Sequence, residues 1–151
     1  MRKLPAFFLC VLLIFSLVSG ASAQSVPCPQ ARLTLTVPDS WKVVPLKSSD
    51  DPDLCLLLSG KGISLSVYVS DASGSFPDAF QVFTGDETDS GTVTLGGREM
   101  FYIAGKNDDG DYRIYTWVDR KSQVQFWFVV TAKPKTAQKT IDEIMNSLKF
   151  D

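Results

Sequence analysis

Cysteine and carboxylate side chains are the groups that could do chemistry in this 151-residue chain, because the sequence contains no histidine. That excludes Ser-His-Asp and Cys-His catalytic sites and every zinc site with an imidazole ligand. Cys10 lies in an apolar leader, which leaves Cys28 and Cys55. In an oxidising compartment such a pair predicts a disulfide, Cys28–Cys55. The alternative is a buried free thiol at Cys55 and a loosely held thiol at Cys28.

Carboxylates gather in three polar segments. They are Asp50, Asp51 and Asp53; Asp86, Glu87 and Asp89; and Asp108, Asp109 and Asp111. Oxygen-rich loops suit Ca²⁺, but none of these has the EF-hand spacing, so solvated turns are the simpler interpretation. The alternative function is a carboxylate-dependent Ca-binding protein or hydrolase, which requires two clusters to converge. No phosphate-binding glycine motif is present, and we expect no metal ion, no cofactor and no catalytic residue.

Aromatic side chains supply the remaining candidates, within the segment 112–131. Tyr115 and Trp117 share one face of a predicted strand, and Trp127 lies on the next strand. These three residues form the candidate binding surface if part of their sheet face is uncovered. The alternative is that they belong to the core, since aromatic residues favour buried strands. An even-numbered turn would put Trp117 on the same face as Phe126, and an odd one would put it beside Trp127. We favour the even turn, because Asp119–Ser122 has no Gly or Asn for a bulge.

The first residues have the pattern of an export signal. Arg2 and Lys3 precede the apolar run Leu4–Val18, and Ala21-Ser22-Ala23 matches a signal peptidase site. The sequence therefore predicts a signal peptide over 1–23 and one domain over 24–151. The alternative is an uncleaved anchor, but the run is short for a membrane span. We expect a periplasmic or secreted protein with no stable membrane insertion after signal cleavage.

The charge of residues 24–151 disfavours two classes of partner. This part of the chain has 13 basic and 17 acidic residues, and the basic ones are scattered. Nucleic-acid binding needs clustered Lys and Arg to neutralise phosphates, so we expect no nucleic-acid partner. Binding to an anionic membrane surface is disfavoured for the same reason.

Periodicity predicts an α+β domain with a mainly antiparallel sheet of six to seven strands. Apolar and polar residues alternate over Leu33–Val37, and 92–131 should form a meander of four strands. Residues 54–58 are nearly all apolar, which favours a strand covered on both faces. Phe76, Phe80 and Phe83 predict a short helix on one face of the sheet. A long C-terminal helix should cover the other face, with its apolar side formed by Ala137, Ile141, Ile144, Met145 and Leu148.

Several pieces in this order resemble a known family. They are "VPDSW", the Phe-rich mid-chain segment, the hairpins "GGREMFYIAG", "DYRIYTWV" and "VQFWFVVT", and the closing "TIDEIMNSLKF". The chain resembles the Mog1/PsbP-like superfamily, closest in style to its bacterial exported, DcrB-like members. The resemblance implies a central antiparallel sheet between helices and a role as a binding or accessory subunit. No family site motif matches, and no cysteine is placed for lipid attachment.

We therefore expect an exported, non-enzymatic binding or accessory protein of the bacterial cell envelope. Its expected partner is an envelope protein or a small hydrophobic ligand.

Overall fold

The structure is a computed structural model that describes residues 22–72, 86–108, 110–133 and 137–151. Most of the predicted signal peptide, residues 1–21, and the predicted helix over Phe76–Phe83 lie outside these ranges. Predictions about those two segments therefore stay predictions.

Seven antiparallel strands form the larger sheet, in the order β3-β4-β5-β9-β8-β7-β6. The strands are β3 (Lys42–Val43), β4 (Leu54–Gly60), β5 (Ile63–Asp71), β6 (Asp86–Leu95), β7 (Arg98–Asn107), β8 (Gly110–Asp119) and β9 (Val124–Ala132). The predicted four-stranded meander is confirmed as β6 to β9, although β6 begins at Asp86 rather than at Thr92. Gly96 and Gly97 join β6 to β7 with φ of 56° and 73°, the backbone of a two-residue type I′ turn.

A smaller sheet of three strands was not predicted. It has the order β1-β2-β10, formed by β1 (Ala23–Cys28), β2 (Leu33–Pro38) and β10 (Lys149–Phe150). The alternation predicted for Leu33–Val37 is confirmed, since Leu33, Leu35 and Val37 are buried and the residues between them are half-buried. β1 contains Pro27, which an edge strand tolerates because one side of its backbone needs no ladder partner.

The main core lies on one face of the larger sheet, which we call the inner face. The small sheet and one helix, α1 (Ala137–Asn146), pack against this face. Ile141, Ile144 and Met145 of α1 are buried in the same apolar cluster as Leu35 of β2 and Phe128 of β9. The reverse of the larger sheet, the outer face, carries a separate apolar cluster.

The predicted α+β fold class, with a long C-terminal helix on one face and a short helix on the other, is wrong. The described residues form two mainly antiparallel sheets and a single α-helix of ten residues, which ends at Asn146. Leu148 is buried as the apolar pattern suggested, but the chain has left the helix by that point. Ser147 Oγ accepts a hydrogen bond from Thr36 N at 2.8 Å and lies 2.6 Å from the carbonyl oxygen of Ile144. This contact turns the chain into β10.

Within the described ranges, no helix has both the length and the apolar character needed to cross a membrane.

Candidate functional site

The hairpin of β8 and β9 separates the three aromatic residues of the candidate binding surface. Trp117 pairs with Phe126, and Thr116 pairs with Trp127. The predicted even register is therefore confirmed, with a four-residue turn over 120–123. Tyr115 and Trp117 lie on the inner face and Trp127 lies on the outer face, so the three do not form one surface. Tyr115 is only 3% exposed. Whether any of the three binds a ligand stays a prediction.

Trp117 is held at one end of the inner face by neighbouring rings. Its ring stacks on Phe126 with centroids 5.1 Å apart, and Phe150 lies 5.2 Å away at a tilt. The Arg98 guanidinium carbon is 4.9 Å from the Trp117 centroid, a cation–π distance. Trp117 therefore joins β10 to the larger sheet, which gives it a structural role whatever else it does.

Trp127 belongs to the apolar cluster of the outer face. Ile103, Tyr112 and Ile114 are buried there, and Phe101, Trp127 and Val129 pack against them while remaining partly exposed. Most antiparallel sheets with one packed face show polar residues on the other. The outer face departs from that pattern at its centre, and this group of six is called the outer cluster below.

A cavity of about 610 Å³ adjoins the outer cluster. Its described lining consists of Ala72, Thr92, Glu99, Phe101, Thr116, Trp117, Val118, Arg120 and Gln125. Gln125 Nε2 donates a hydrogen bond to Thr116 Oγ1 at 3.2 Å, and both side chains are almost fully buried. The cavity, called the outer cavity, thus combines the Phe101 ring, a buried polar pair and two opposite charges at Glu99 and Arg120.

The sequence carried one weak signal for this buried polar pair. Thr116 stands between Tyr115 and Trp117, and Gln125 stands between Val124 and Phe126. A polar side chain inside an aromatic strand indicates a buried hydrogen bond when the facing strand offers a partner. With the even register, Thr116 and Gln125 lie diagonally across the hairpin on the same face.

Arg113 is a half-buried charge that sequence patterns did not reveal. Its Nη1 lies 3.7 Å from Asp142 Oδ1 of α1, and its guanidinium carbon is 5.4 Å from the Tyr102 ring centroid. Burial raises the pKa of the Tyr115 phenol, and the hydrogen bond with Arg113 partly offsets this rise. These contacts connect β8 to α1 and are structural in character.

The first acidic segment forms a turn of the kind predicted. Asp50 Oδ2 accepts a hydrogen bond from Lys47 N at 2.6 Å, and Asp51 Oδ1 accepts one from Asp53 N at 2.9 Å. Carboxylates that accept bonds from nearby backbone N–H groups stabilise local turns. Their oxygens are engaged in loop structure.

The meander brings the second and third acidic segments to the same end of the sheet. Asp86 of β6 pairs with Lys106 of β7, which in turn pairs with Asp111 of β8. Lys106 Nζ lies 3.6 Å from Asp111 Oδ1, and Tyr102 donates a hydrogen bond to Asp89 Oδ2 at 3.0 Å. Lys106 of β7 therefore lies between the two acidic segments. Within the described ranges, no three His, Cys, Asp or Glu residues are grouped so as to hold a metal ion.

The structure brings the two cysteines together as a pair of free thiols. Cys28 Sγ of β1 and Cys55 Sγ of β4 are 3.1 Å apart, and Cys55 Sγ also donates a hydrogen bond to the carbonyl of Val67 at 3.2 Å. Cys28 is 1% exposed, whereas Cys55 is partly exposed. The hydrogen bond between the two sulfurs lowers the pKa of Cys28 to about 7, and the same contact raises the pKa of Cys55. The disulfide stays a prediction.

Comparison with known proteins finds similarity in structure but none in sequence. No protein-family model and no curated protein matches the chain. Cyanobacterial PsbP (CyanoP) from Synechocystis sp. PCC 6803 matches with a TM-score of 0.65 at 14% identity, over 89% of this chain and 95% of that chain. A protein from Bacteroides thetaiotaomicron VPI-5482 matches with a TM-score of 0.55 at 13% identity, over 85% of this chain and 48% of the other. The chain has the PsbP/Mog1-like fold.

The predicted resemblance is thus confirmed at the level of fold. LpqN of Mycobacterium tuberculosis, which is involved in cell envelope biogenesis, matches more loosely, with a TM-score of 0.48 at 14% identity over 87% of this chain and 86% of that chain. The PsbP/Mog1-like fold does not by itself define a binding site. Function must therefore be argued from the surfaces described above.

Proposed function

We propose that this chain is an exported, non-enzymatic binding or accessory protein of the bacterial cell envelope. The export signal in the sequence and the PsbP/Mog1-like fold both support this proposal. The contact surface we assign to it is the outer face, at the outer cavity and the neighbouring Trp127.

The observation that carries the proposal is the apolar character of the outer face. The inner face already supplies the main core, with the small sheet and α1 packed on it. The outer face adds a second cluster and a cavity of about 610 Å³. Pockets of roughly 300 to 1,000 Å³ with aromatic walls and a few polar groups are typical of small-molecule sites.

The lining defines the chemistry of the partner. Phe101 and Val118 offer apolar contact, while the Thr116 and Gln125 pair offers hydrogen-bonding groups at the base. Glu99 and Arg120 would face the polar end of an occupant. The cavity therefore suits a small amphipathic molecule, or an apolar side chain presented by an envelope protein.

A cavity-filling substitution tests the small-molecule version. Thr92 lines the cavity from the exposed edge strand β6, so Thr92→Trp should occupy it without disturbing buried residues. Thr94→Trp, two residues along the same strand and outside the lining, is the matched control. Protein purified from its native envelope should release a small molecule on denaturation. That molecule should be lost in Thr92→Trp and retained in Thr94→Trp.

Site-specific photo-crosslinking tests the protein version. A photoreactive residue at Val118, on the cavity wall, should trap a defined envelope protein. The same residue at Val43, which is 53% exposed on β3 four strands away from β8, is the control. Trapping the same protein from both positions would argue against the outer face. Finding neither a released molecule nor a Val118-specific crosslink under several growth conditions would overturn the proposed function.

A further inference from the structure

We propose that Cys55 is a site of thiol–disulfide exchange and that Cys28 is its resolving thiol. A disulfide-bonded donor would react first with Cys55 and leave the two cysteines joined to each other. This inference concerns a modification site between the two sheets and does not depend on the proposed contact surface.

Accessibility decides which sulfur reacts first. Cys28 is 1% exposed, so an incoming disulfide cannot approach its Sγ in the folded protein. Cys55 is partly exposed and lies 3.1 Å from Cys28 Sγ. Exchange requires access as well as a thiolate, and of the two thiols only Cys55 is accessible.

The local backbone of Cys55 also favours reaction. Leu54 pairs with Tyr68 and Leu56 pairs with Val67, so Cys55 is the extra residue of a β-bulge with no partner of its own in β5. A bulge re-aims its side chain and interrupts the ladder. On the other side, Cys28 is the last residue of β1, directly before a short 3-10 turn over Pro29–Ala31. Both sulfurs therefore lie at breaks in regular structure, where small adjustments disturb few hydrogen bonds.

The acid–base state of the pair places the negative charge on Cys28 and leaves Cys55, whose pKa is raised, as the thiol that must give up its proton before it attacks. The pKa of Cys28 is lowered to about 7 by its hydrogen bond with Cys55, so the pair gives up its first proton more readily than an isolated thiol does. The Cys28 thiolate can accept the Cys55 proton across the 3.1 Å contact as Cys55 attacks. The pair then titrates as a unit, with one thiol acting as base for the other.

The reaction balances in two steps. Cys55 Sγ attacks one sulfur of the donor disulfide, which forms a mixed disulfide and releases one thiolate. Cys28 then loses its proton to solvent and attacks Cys55 Sγ, which breaks the mixed disulfide and releases the second thiolate. The two cysteines lose two electrons and the donor disulfide gains them. The product joins β1 of the small sheet to β4 of the larger sheet.

Glutathione disulfide is the probe for a test on the reduced full-length mature chain. In Cys28→Ser, Cys55 should accumulate a mixed disulfide with glutathione, seen by intact mass. In Cys55→Ser, modification of Cys28 should be slower by about 10-fold or more while the protein is folded. In urea the two variants should react alike, which shows that both thiols are chemically competent. The intact mass of the wild type should fall by the mass of two hydrogen atoms, and no glutathione adduct should remain on it.

A second measurement covers the case in which a serine variant does not fold. Wild-type protein is mixed with glutathione disulfide, quenched with acid at short times and mapped by peptide. The first glutathione adduct should be on Cys55. The proposal would be overturned if the first glutathione adduct were on Cys28, or if the wild type kept a stable mixed disulfide. It would also be overturned if glutathione disulfide modified the two folded variants at equal rates.

Discussion

Gly60 is a position where a single added methyl group should destabilise the fold by overlapping with a buried side chain. It ends β4, and a Cβ there would lie 2.5 Å from Cδ1, 2.6 Å from Cγ and 2.7 Å from Nε1 of Trp41. The Trp41 ring is 3% exposed and belongs to the main core. Because it is buried, the ring cannot swing out into solvent to make room.

The cost can be estimated from these distances. Carbon atoms in contact prefer about 3.5 to 4.0 Å, so either the indole or the end of β4 must move by about 1 Å. Forcing extra atoms into a packed core typically costs about 1 to 3 kcal/mol. The loss of backbone freedom in the unfolded chain returns about 0.4 to 1 kcal/mol. The difference of these two contributions is about 1 kcal/mol, so we expect Gly60→Ala to lower the free energy of unfolding by about that amount.

Urea unfolding followed by circular dichroism measures this change, provided that the slope with urea is unaltered. Gly91→Ala is the matched control, since Gly91 also lies in a strand and its added Cβ would approach the Tyr102 ring no closer than 3.3 Å. It should leave the free energy of unfolding unchanged or raise it by up to about 1 kcal/mol, because the same loss of freedom in the unfolded chain is opposed only by a mild side-chain contact.

Trp41→Phe in the Gly60→Ala background tests the cause. Phenylalanine lacks Nε1 and the fused second ring, so its smaller side chain can move away from the new Cβ, and the two substitutions should be non-additive, as neighbours in contact are. A coupling of about 1 kcal/mol in the rescuing direction is expected. If Gly60→Ala is as stable as wild type, or if Trp41→Phe rescues nothing, the steric explanation is wrong.

Three further predictions concern other contacts. Ser147→Ala leaves the half-buried N–H of Thr36 without its 2.8 Å acceptor and should lower the free energy of unfolding in urea by about 1 kcal/mol. Ser147→Thr should cost less, and equal losses would exclude a role for the hydroxyl. Joining Cys28 and Cys55, 27 residues apart, in a disulfide should stabilise the protein by about 3.5 kcal/mol. A reductant should remove this gain and should not change the stability of the double serine variant. A gain that persists in reductant would contradict the prediction. Thr116→Val should cost about 1 to 3 kcal/mol by leaving the buried Gln125 amide unpaired, and adding Gln125→Leu should recover part of that loss; an additive double variant would mean that the pair does not act as a unit.

The meander could be predicted from sequence because its signals are local. Alternating residues fix which side chains share a face, and Gly96-Gly97 fixes the turn between β6 and β7. The register of the β8–β9 hairpin followed from the residues available for the turn, with the loop displaced by one residue from Asp119–Ser122 to 120–123. The division of Trp117 and Trp127 between two faces is a direct consequence of that register.

The small sheet could not be predicted because its pairings are distant in sequence. Phe150 pairs with Leu33, and Thr36 receives Ser147 as a hydrogen-bond partner from the other end of the chain. The apolar pattern predicts a helix that extends through Leu148, and Leu148 is indeed buried in the same core. Burial alone does not distinguish the last turn of a helix from a short segment that crosses to a neighbouring strand. Tertiary contacts determine which one forms.

The pairing of the two cysteines depends on a feature that strand periodicity would have excluded. In a regular strand Cys55 would share a face with Leu57, on the side of the sheet away from Cys28. The bulge at Cys55 breaks this alternation, so that Leu54 faces outward with Tyr68 while Leu56 faces inward with Val67. Cys55 is thereby packed against the main core and reaches Cys28. The apolar run over 54–58 contains no signal for this bulge, so the approach of the two thiols could not be predicted from the strand pattern.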